Sequence, residues 1–234
     1  MTASPQARPR RADIPIGGRL AVPGLDWAAG LDSGAEGRDD WEKARGCTAM
    51  PVQQLTRRFT VEEYYRMAQA GILSEDDRVE LIEGAIVEMA AIGSRHAACV
   101  GRLTVLSSTA QTGGIVWVQN PIRLGEHSVP QPDLALLRLR PDFYASAHPG
   151  PGDVFLLVEV SETSADSDRE VKVPIYARAG IPEVWLVDLE GEVIEVYRQP
   201  SAEGYRDARQ VRRGEALSPE AFPDLTLAAD EILG

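Results

Sequence analysis

Two acidic residues stand at the ends of apolar runs, where a carboxylate is costly. Asp133 opens the run in "PDLALL", and Glu159 lies near the end of the run in "VFLLVEVS". A lone carboxylate at a buried strand end costs several kcal/mol unless it is paired, hydrogen-bonded or bound to a cation. If the two strands are antiparallel neighbours, these two ends coincide and the carboxylates converge.

Converging carboxylates repel each other, so one of them would hold a proton unless a cation lies between them. A divalent ion that prefers oxygen ligands, Mg²⁺ or Mn²⁺, would remove that cost. Each acid also has a structural explanation, in which it caps a strand end or pairs with an arginine. The residue types alone leave both explanations open.

The elements that must position these acids alternate between helical and extended patterns. Thr60 is a suitable N-cap for the first helix, and Gly180 ends the last internal one. Hairpins join several strands, and one strand–helix–strand crossover follows Glu159. We therefore predict an α/β protein whose sheet is mixed, as in α+β folds, and is flanked by helices. Predicted helices lie in 59–71, 94–114 and 169–180, and predicted strands in 78–90, 114–124, 132–139, 154–161, 183–189, 192–199 and 205–211, before a terminal segment at 225–233.

The bulk composition predicts one sizeable domain behind a polar extension. Of the 234 residues, 44% are hydrophobic and 26% are charged, which is ordinary for a soluble protein. Residues 1–49 lack apolar periodicity and are rich in proline and glycine, so we expect a disordered or weakly ordered extension before a domain at 50–234. The net charge of −12 belongs entirely to that domain and argues against broad attraction to polyanions.

Two further patterns concern the compartment. The two cysteines, Cys47 and Cys99, have no disulfide-framework or zinc spacing, which favours a reducing cytoplasm. No apolar stretch approaches the roughly 18–20 residues that cross a bilayer, and no secretory signal is present. We therefore predict a cytoplasmic protein without a membrane partner.

Taken together, several segments resemble the Uma family of restriction-endonuclease-like proteins, within the PD-(D/E)xK nuclease superfamily. The dipeptide Pro-Asp alone carries little weight, but its combination with Glu-Val-Ser, a downstream Asp-x-x-x-Lys and Gly-Ile-Pro-Glu-x-Trp is specific. The resemblance covers roughly residues 57–233. The matching segments are "RVELIEG" (78–84), His96, "PQPDLALL" (130–137), "LVEVSETSADSDREVK" (157–172), "YARAGIPEVWLVD" (176–188) and "FPDLTLAADEIL" (222–233).

The resemblance implies a metal-dependent nuclease core with a restriction-endonuclease-like fold. Asp133 and Glu159 would be the acidic metal ligands, with the carbonyl of Val160 as an additional one. In the superfamily pattern a lysine stands two places after the glutamate, but here that place is Ser161. Lys172 fits the Uma-type position of the lysine and could supply the same point charge from the adjoining helix.

Two further residues match the family positions. Glu80 corresponds to the acid of the R-x-E-L segment and would complete the site as a third carboxylate. His96 lies at a helix start, where it could orient water, contact phosphate or simply cap the helix. Asp166 and Asp168 are expected to be helix-start acids, and Tyr176 and Trp185 to pack the helix onto the sheet.

These inferences favour a magnesium- or manganese-dependent endonuclease acting on DNA. A homodimer is expected if both strands of a duplex are cut, because two related sites do this most simply. One alternative is a catalytically inactive nuclease fold that binds nucleic acid or a protein partner, which the acidic net charge favours. A carboxylate-pair glycosidase ranks last, because it requires no lysine and ordinarily carries more aromatics than the 6% found here.

Overall fold

A computed structural model describes residues 56–74, 76–109 and 113–234 of the chain. The predicted extension at 1–49, the domain boundary at residue 50 and Cys47 lie outside these residues. Within the described ranges, none of the helices combines the length and the apolar character that a bilayer crossing requires.

The elements follow the predicted order, with strands before and after each internal helix. Short 3₁₀ and π turns supplement the regular elements at Pro151–Asp153 and Asp168–Lys172. The helices are α1 (Val61–Gln69), α2 (Ser94–Thr109), α3 (Ala165–Ser167), α4 (Val173–Ala179) and α5 (Ala229–Leu233). The strands are β1 (Val79–Ile82), β2 (Ala85–Glu88), β3 (Ile115–Val118), β4 (Leu134–Leu137), β5 (Val154–Ser161), β6 (Glu183–Asp188), β7 (Val193–Ser201), β8 (Gly204–Arg212), β9 (Ala216–Leu217) and β10 (Leu227–Ala228).

Six strands form one mixed sheet in the order β3-β4-β5-β6-β7-β8. All neighbours are antiparallel except β5 and β6, which run parallel because the chain crosses over through α3 and α4 between them. Parallel neighbours need such a crossover, whereas the antiparallel pairs can be joined by short turns. The predicted mixed sheet with flanking helices is confirmed.

The central strand β5 is covered on both faces, which explains its continuous apolar sequence. Leu156, Val158 and Val160 belong to a core shared with α2 and α5. Leu157 belongs to the core on the opposite face, which includes Tyr176 of α4. Glu159 alternates with Val158 and Val160, so its side chain points to the same face as Leu157 and α4.

A separate two-stranded hairpin, β1–β2, supplies one wall of the site described below. Glu83 and Gly84 both have positive φ at its turn, as a tight hairpin requires. A side chain at Gly84 would lie 2.5 Å from Cβ of Arg58, so this position accepts only glycine without a shift. The N–H of Val129 donates to the carbonyl of Leu81 at 2.7 Å and ties the hairpin to the chain leading into β4.

The crossover is more helical than the sequence predicts. Its regular helix α4 begins at Val173 after an N-cap at Lys172, within the predicted range of 169–180. Residues 165–168 lie before the predicted helix, yet they form α3 and the first residue of a π turn over Asp168–Lys172. Pro174 has no N–H to complete a continuous α-helix, and a wider turn is one way in which helices accommodate such a residue.

Candidate active site

Asp133 and Glu159 lie side by side at one end of the sheet. In the antiparallel pairing of β4 with β5, Leu134 is opposite Val158. Asp133 precedes Leu134 and Glu159 follows Val158, so the two acids occupy adjacent positions at neighbouring strands. The predicted convergence of these strand ends is confirmed.

The carboxylate of Asp133 is held by three donors. Its Oδ2 accepts the N–H of Val160 at 2.9 Å and lies 3.0 Å from Nε2 of His96. Its Oδ1 accepts Nε2–H of Gln119 at 3.2 Å. The hydrogen bond to Asp133 raises the pKa of His96 above its ordinary value, although burial opposes this shift. The imidazolium form is therefore favoured beside Asp133.

Glu159 is buried, with 3% of its surface exposed. The hydroxyl of Tyr176 donates to its Oε1. Burial raises the pKa of Glu159 to about 8, although the ammonium of Lys172 lowers it. Tyr176 packs the helix onto the sheet, as the sequence predicts, and also contacts the candidate catalytic acid.

Lys172 carries its ammonium to the centre of the acidic cluster. Its Nζ lies 3.2 Å from Oε1 of Glu80, 3.4 Å from Oε1 of Glu159 and 4.0 Å from Oδ1 of Asp168. Burial lowers the pKa of Lys172, but Glu159 and Glu80 outweigh that effect and raise it well above the ordinary value. Lys172 is thus a fixed positive charge among buried carboxylates.

Glu80 comes from the hairpin and completes this cluster from a second direction. It is 4% exposed, and its Oε2 accepts the N–H of Gln131 at 3.0 Å. Gln131 lies two residues before Asp133, so this hydrogen bond joins the hairpin to the chain that carries the first acid. The structure therefore brings together Glu80, Asp133, Glu159, Lys172 and His96.

Asp168 is a member of the site that sequence reasoning assigned to helix capping. Its Oδ2 accepts the hydroxyl of Ser164 at 3.1 Å, and burial raises its pKa. Its spacing of four residues from Lys172 is a signal that could have identified it, because residues at that spacing lie on one side of a helix. Asp166 is different, since it is exposed and pairs with Arg169.

The other singled-out residues have structural partners. Ser161 stands at the superfamily's usual lysine position, and its Oγ accepts the N–H of Ser164 at 3.0 Å. Trp185 is buried and donates its indole N–H to Glu183. The contact seen for Val160 involves its N–H, and a role of its carbonyl as a metal ligand stays a prediction.

The cluster opens into a cavity of about 430 Å³. Two stretches of chain form its walls: the hairpin with the loop leading into α2, and the segment from the end of β5 to the π turn. The two walls approach each other closely at Gly93, because a Cβ atom there would lie 2.5 Å from Oε2 of Glu162. The cavity is large enough for one small ligand or one nucleotide unit.

The side chains suit a hard divalent cation in their chemistry. Carboxylate oxygens of Asp133, Glu159 and Glu80 are the donors that Mg²⁺ and Mn²⁺ prefer. Among the residues that the structure describes, no three or more His, Cys, Asp or Glu side chains are already arranged as a metal-ligand group. Lys172 and His96 instead engage the carboxylates through hydrogen bonds and ion pairs.

Comparison with known proteins assigns the chain to a family. A search of curated proteins found no match. A crystal structure from Anabaena variabilis ATCC 29413, described as "a putative nuclease belonging to DUF820", superposes with a TM-score of 0.60 at 16% identity, covering 75% of this chain and 97% of the other. This likeness confirms the predicted fold class. The profile of the Uma2 family, described as "Putative restriction endonuclease", matches residues 61–230, and the chain therefore belongs to that family.

Proposed function

We propose that this protein is a divalent-metal-dependent endonuclease that hydrolyses phosphodiester bonds in DNA. The observation that carries the proposal is the contact of Lys172 with Glu159 at 3.4 Å, beside Asp133, which directly precedes the neighbouring strand β4. Two acids that can hold a cation, and a lysine that supplies positive charge, suit metal-assisted phosphoryl hydrolysis. Membership of a nuclease family supports the same reaction class.

In this proposal Asp133 and Glu159 hold Mg²⁺ or Mn²⁺, with the carbonyl of Val160 and the carboxylate of Glu80 as additional ligands. When bound, the cation supplies Lewis acidity toward a phosphate oxygen and toward the attacking water. Asp133 is oriented for this role by the N–H of Val160 and by His96.

Lys172 supplies a positive charge and does not act as a general base. Its raised pKa keeps the ammonium protonated at neutral pH, because buried carboxylates surround it. A protonated lysine can donate to the attacking water or offset negative charge that accumulates on the phosphate in the transition state. The hydrogen bond to Asp133 raises the pKa of His96, so a second positive charge lies beside the candidate metal ligands.

A paired experiment tests the proposal. Nicking of plasmid and cleavage of single-stranded DNA are measured with Mg²⁺ or Mn²⁺ for wild type, Asp133→Asn and the control Glu203→Gln, whose carboxylate lies in an exposed turn. Calorimetric titration of each metal is run on the same three proteins. Asp133→Asn should reduce cleavage at least roughly a hundredfold and weaken metal binding, while Glu203→Gln behaves as wild type.

Two other outcomes would overturn it. Metal binding without cleavage by wild type would favour the alternative of an inactive nuclease fold that binds nucleic acid or a protein. That alternative draws support from the net charge of −12, which opposes the approach of a polyanion. Cleavage that Asp133→Asn leaves unchanged would place the reaction elsewhere. The homodimer stays a prediction, which light scattering after size exclusion would test.

A further inference from the structure

Exposed apolar side chains gather at the candidate active site. Val87, Ile92 and Val171 are 40%, 42% and 46% exposed, and all three line the cavity that holds Lys172. Large apolar side chains with this exposure are otherwise spread over the described surface, at Ile72, Val105, Leu139 and Phe143. Apolar groups collected at one concave site indicate contact with a ligand.

These side chains lie next to the charged residues in the chain itself. Val87 is the cross-strand partner of Glu80 in the hairpin, so the two side chains share one face. Val171 directly precedes Lys172 in the π turn. Ile92 precedes Gly93, which approaches Glu162 at the cavity wall. The cavity therefore presents apolar surface beside the carboxylates and the ammonium.

A ligand that matches this surface must carry a phosphodiester and an apolar face close together. A nucleotide has both, in its phosphate and its base, and its size suits a cavity of about 430 Å³. In a duplex the bases are stacked and paired, so that mainly sugar and phosphate face a protein that approaches the backbone. An unpaired base is free to pack against aliphatic side chains.

The net charge of the chain also favours an unpaired nucleotide over a duplex. Tight binding of duplex DNA relies on neutralising several phosphates along the backbone with lysine and arginine. The net charge of −12 provides no general excess of basic groups for this purpose. Contact between an unpaired base and an apolar wall supplies affinity that does not depend on a basic protein surface.

We infer that the substrate is DNA with an unpaired nucleotide at the cleavage position, as in a single strand, and that its base packs against Val87, Ile92 and Val171. The inference rests on the proposed function and narrows its substrate. Base contact through apolar side chains tolerates any base, so we expect little sequence preference.

The test compares one labelled oligonucleotide as a single strand and as a duplex. Binding is followed by fluorescence anisotropy with Ca²⁺ in place of Mg²⁺, and cleavage is followed separately with Mg²⁺ or Mn²⁺. The variants are Val87→Thr with Val171→Thr, which keep side-chain shape and remove apolar surface. The control is Val105→Thr, because Val105 is 63% exposed on α2 and does not line the cavity.

Wild type should bind the single strand more tightly than the duplex, and the double variant should weaken single-strand binding roughly fivefold or more. Val105→Thr should match wild type. Equal or tighter duplex binding, or single-strand binding that the double variant leaves unchanged, would overturn the inference. If binding follows the expectation but no DNA is cut, the proposed nuclease function fails while the unpaired-nucleotide site stands. Absence of binding to either form would overturn both.

Discussion

Nζ of Lys172 lies 3.2 Å from Oε1 of Glu80, so a residue of the crossover neutralises a carboxylate of the separate hairpin. The same ammonium reaches Glu159 of the central strand at 3.4 Å. Both acids are almost fully buried. One cation thus joins three parts of the fold that are distant in sequence, and it is one of only two lysines in the chain.

Replacement of this lysine should affect stability and activity together. Lys172→Met leaves Glu80 and Glu159 buried without their cation, which should lower the free energy of unfolding by about 3 kcal/mol in metal-free buffer. DNA cleavage should fall at least roughly a hundredfold, because the transition-state charge loses its donor. Urea unfolding and plasmid nicking measure the two effects. Arg206→Met, on the exposed face of β8, serves as the control.

Addition of Mn²⁺ separates the electrostatic effect of Lys172 from a packing effect. If the lost charge causes the instability, Mn²⁺ should raise the melting temperature of Lys172→Met more than that of wild type, since the carboxylates then lack an internal cation. Equal shifts in both proteins would assign the loss to packing.

The convergence of Asp133 with Glu159 could be predicted from the sequence because it depends on strand pairing alone. Both apolar runs are short and continuous, and an antiparallel pairing of neighbours brings a strand's first residue next to its partner's last. No distant element has to be placed correctly for this conclusion.

The other members of the site depend on how separate elements dock. Asp168 is the exception, because its spacing of four residues places it in the same turn as Lys172. Gln131 and Gln119 contribute through one hydrogen bond each, to Glu80 and Asp133, which no residue pattern specifies. The apolar wall at Val87 is visible only when the hairpin is placed over the cavity. Sequence periodicity carries no information on such tertiary contacts.

The His96–Asp133 contact predicts a pH effect of definite sign. The pKa of His96 is raised above 6.5, so its stabilising contribution is present below that pH and is lost as pH rises through the raised value. His96→Gln retains a neutral donor and should remove this part of the pH dependence of the free energy of unfolding. Thermal melts across the neutral range in metal-free buffer would measure it. A dependence that His96→Gln preserves would contradict the assignment.

Glu159 predicts a second pH effect in the same metal-free protein. Its pKa is raised from 4.5 to about 8, so the protonated form is favoured on folding, and this contribution is lost as pH rises through the higher value. Wild type should therefore lose stability between about pH 4.5 and about pH 8, and Glu159→Gln should lose less. Chemical unfolding at each pH measures the difference. Parallel curves for the two proteins would show that Glu159 is already ionised.

Arg169 and Glu195 form a bidentate pair that holds the π turn against the sheet. The Nε and Nη2 atoms of Arg169 lie 3.0 and 2.9 Å from the two carboxylate oxygens of Glu195. Arg169→Met should lower the free energy of unfolding by about 1–3 kcal/mol, since a charged hydrogen-bonded pair is lost. Because Lys172 lies in the same turn, cleavage should also decrease, by roughly tenfold in kcat.

A double-mutant cycle with Glu195→Gln checks whether the two residues act as a pair. Coupling should appear both in the free energy of unfolding and in kcat. Additive effects on kcat, with coupling only in stability, would show that the pair supports the fold without positioning Lys172.

The final prediction concerns the position where the superfamily's lysine is absent. Ser161 alternates with Val160 along β5, so its side chain shares a face with Glu159. A lysine there could bring its ammonium toward Glu159 from the strand, while the loss of the Ser161–Ser164 hydrogen bonds lowers stability. In a Lys172→Met background, Ser161→Lys should restore cleavage at least roughly tenfold, because the chemistry requires the charge and not a particular segment to carry it.

Ala202→Lys in the same background adds a lysine in an exposed turn and should restore nothing. If a folded Ser161→Lys variant matches Ala202→Lys, the role of Lys172 depends on its contact with Glu80 as well as on its charge near Glu159.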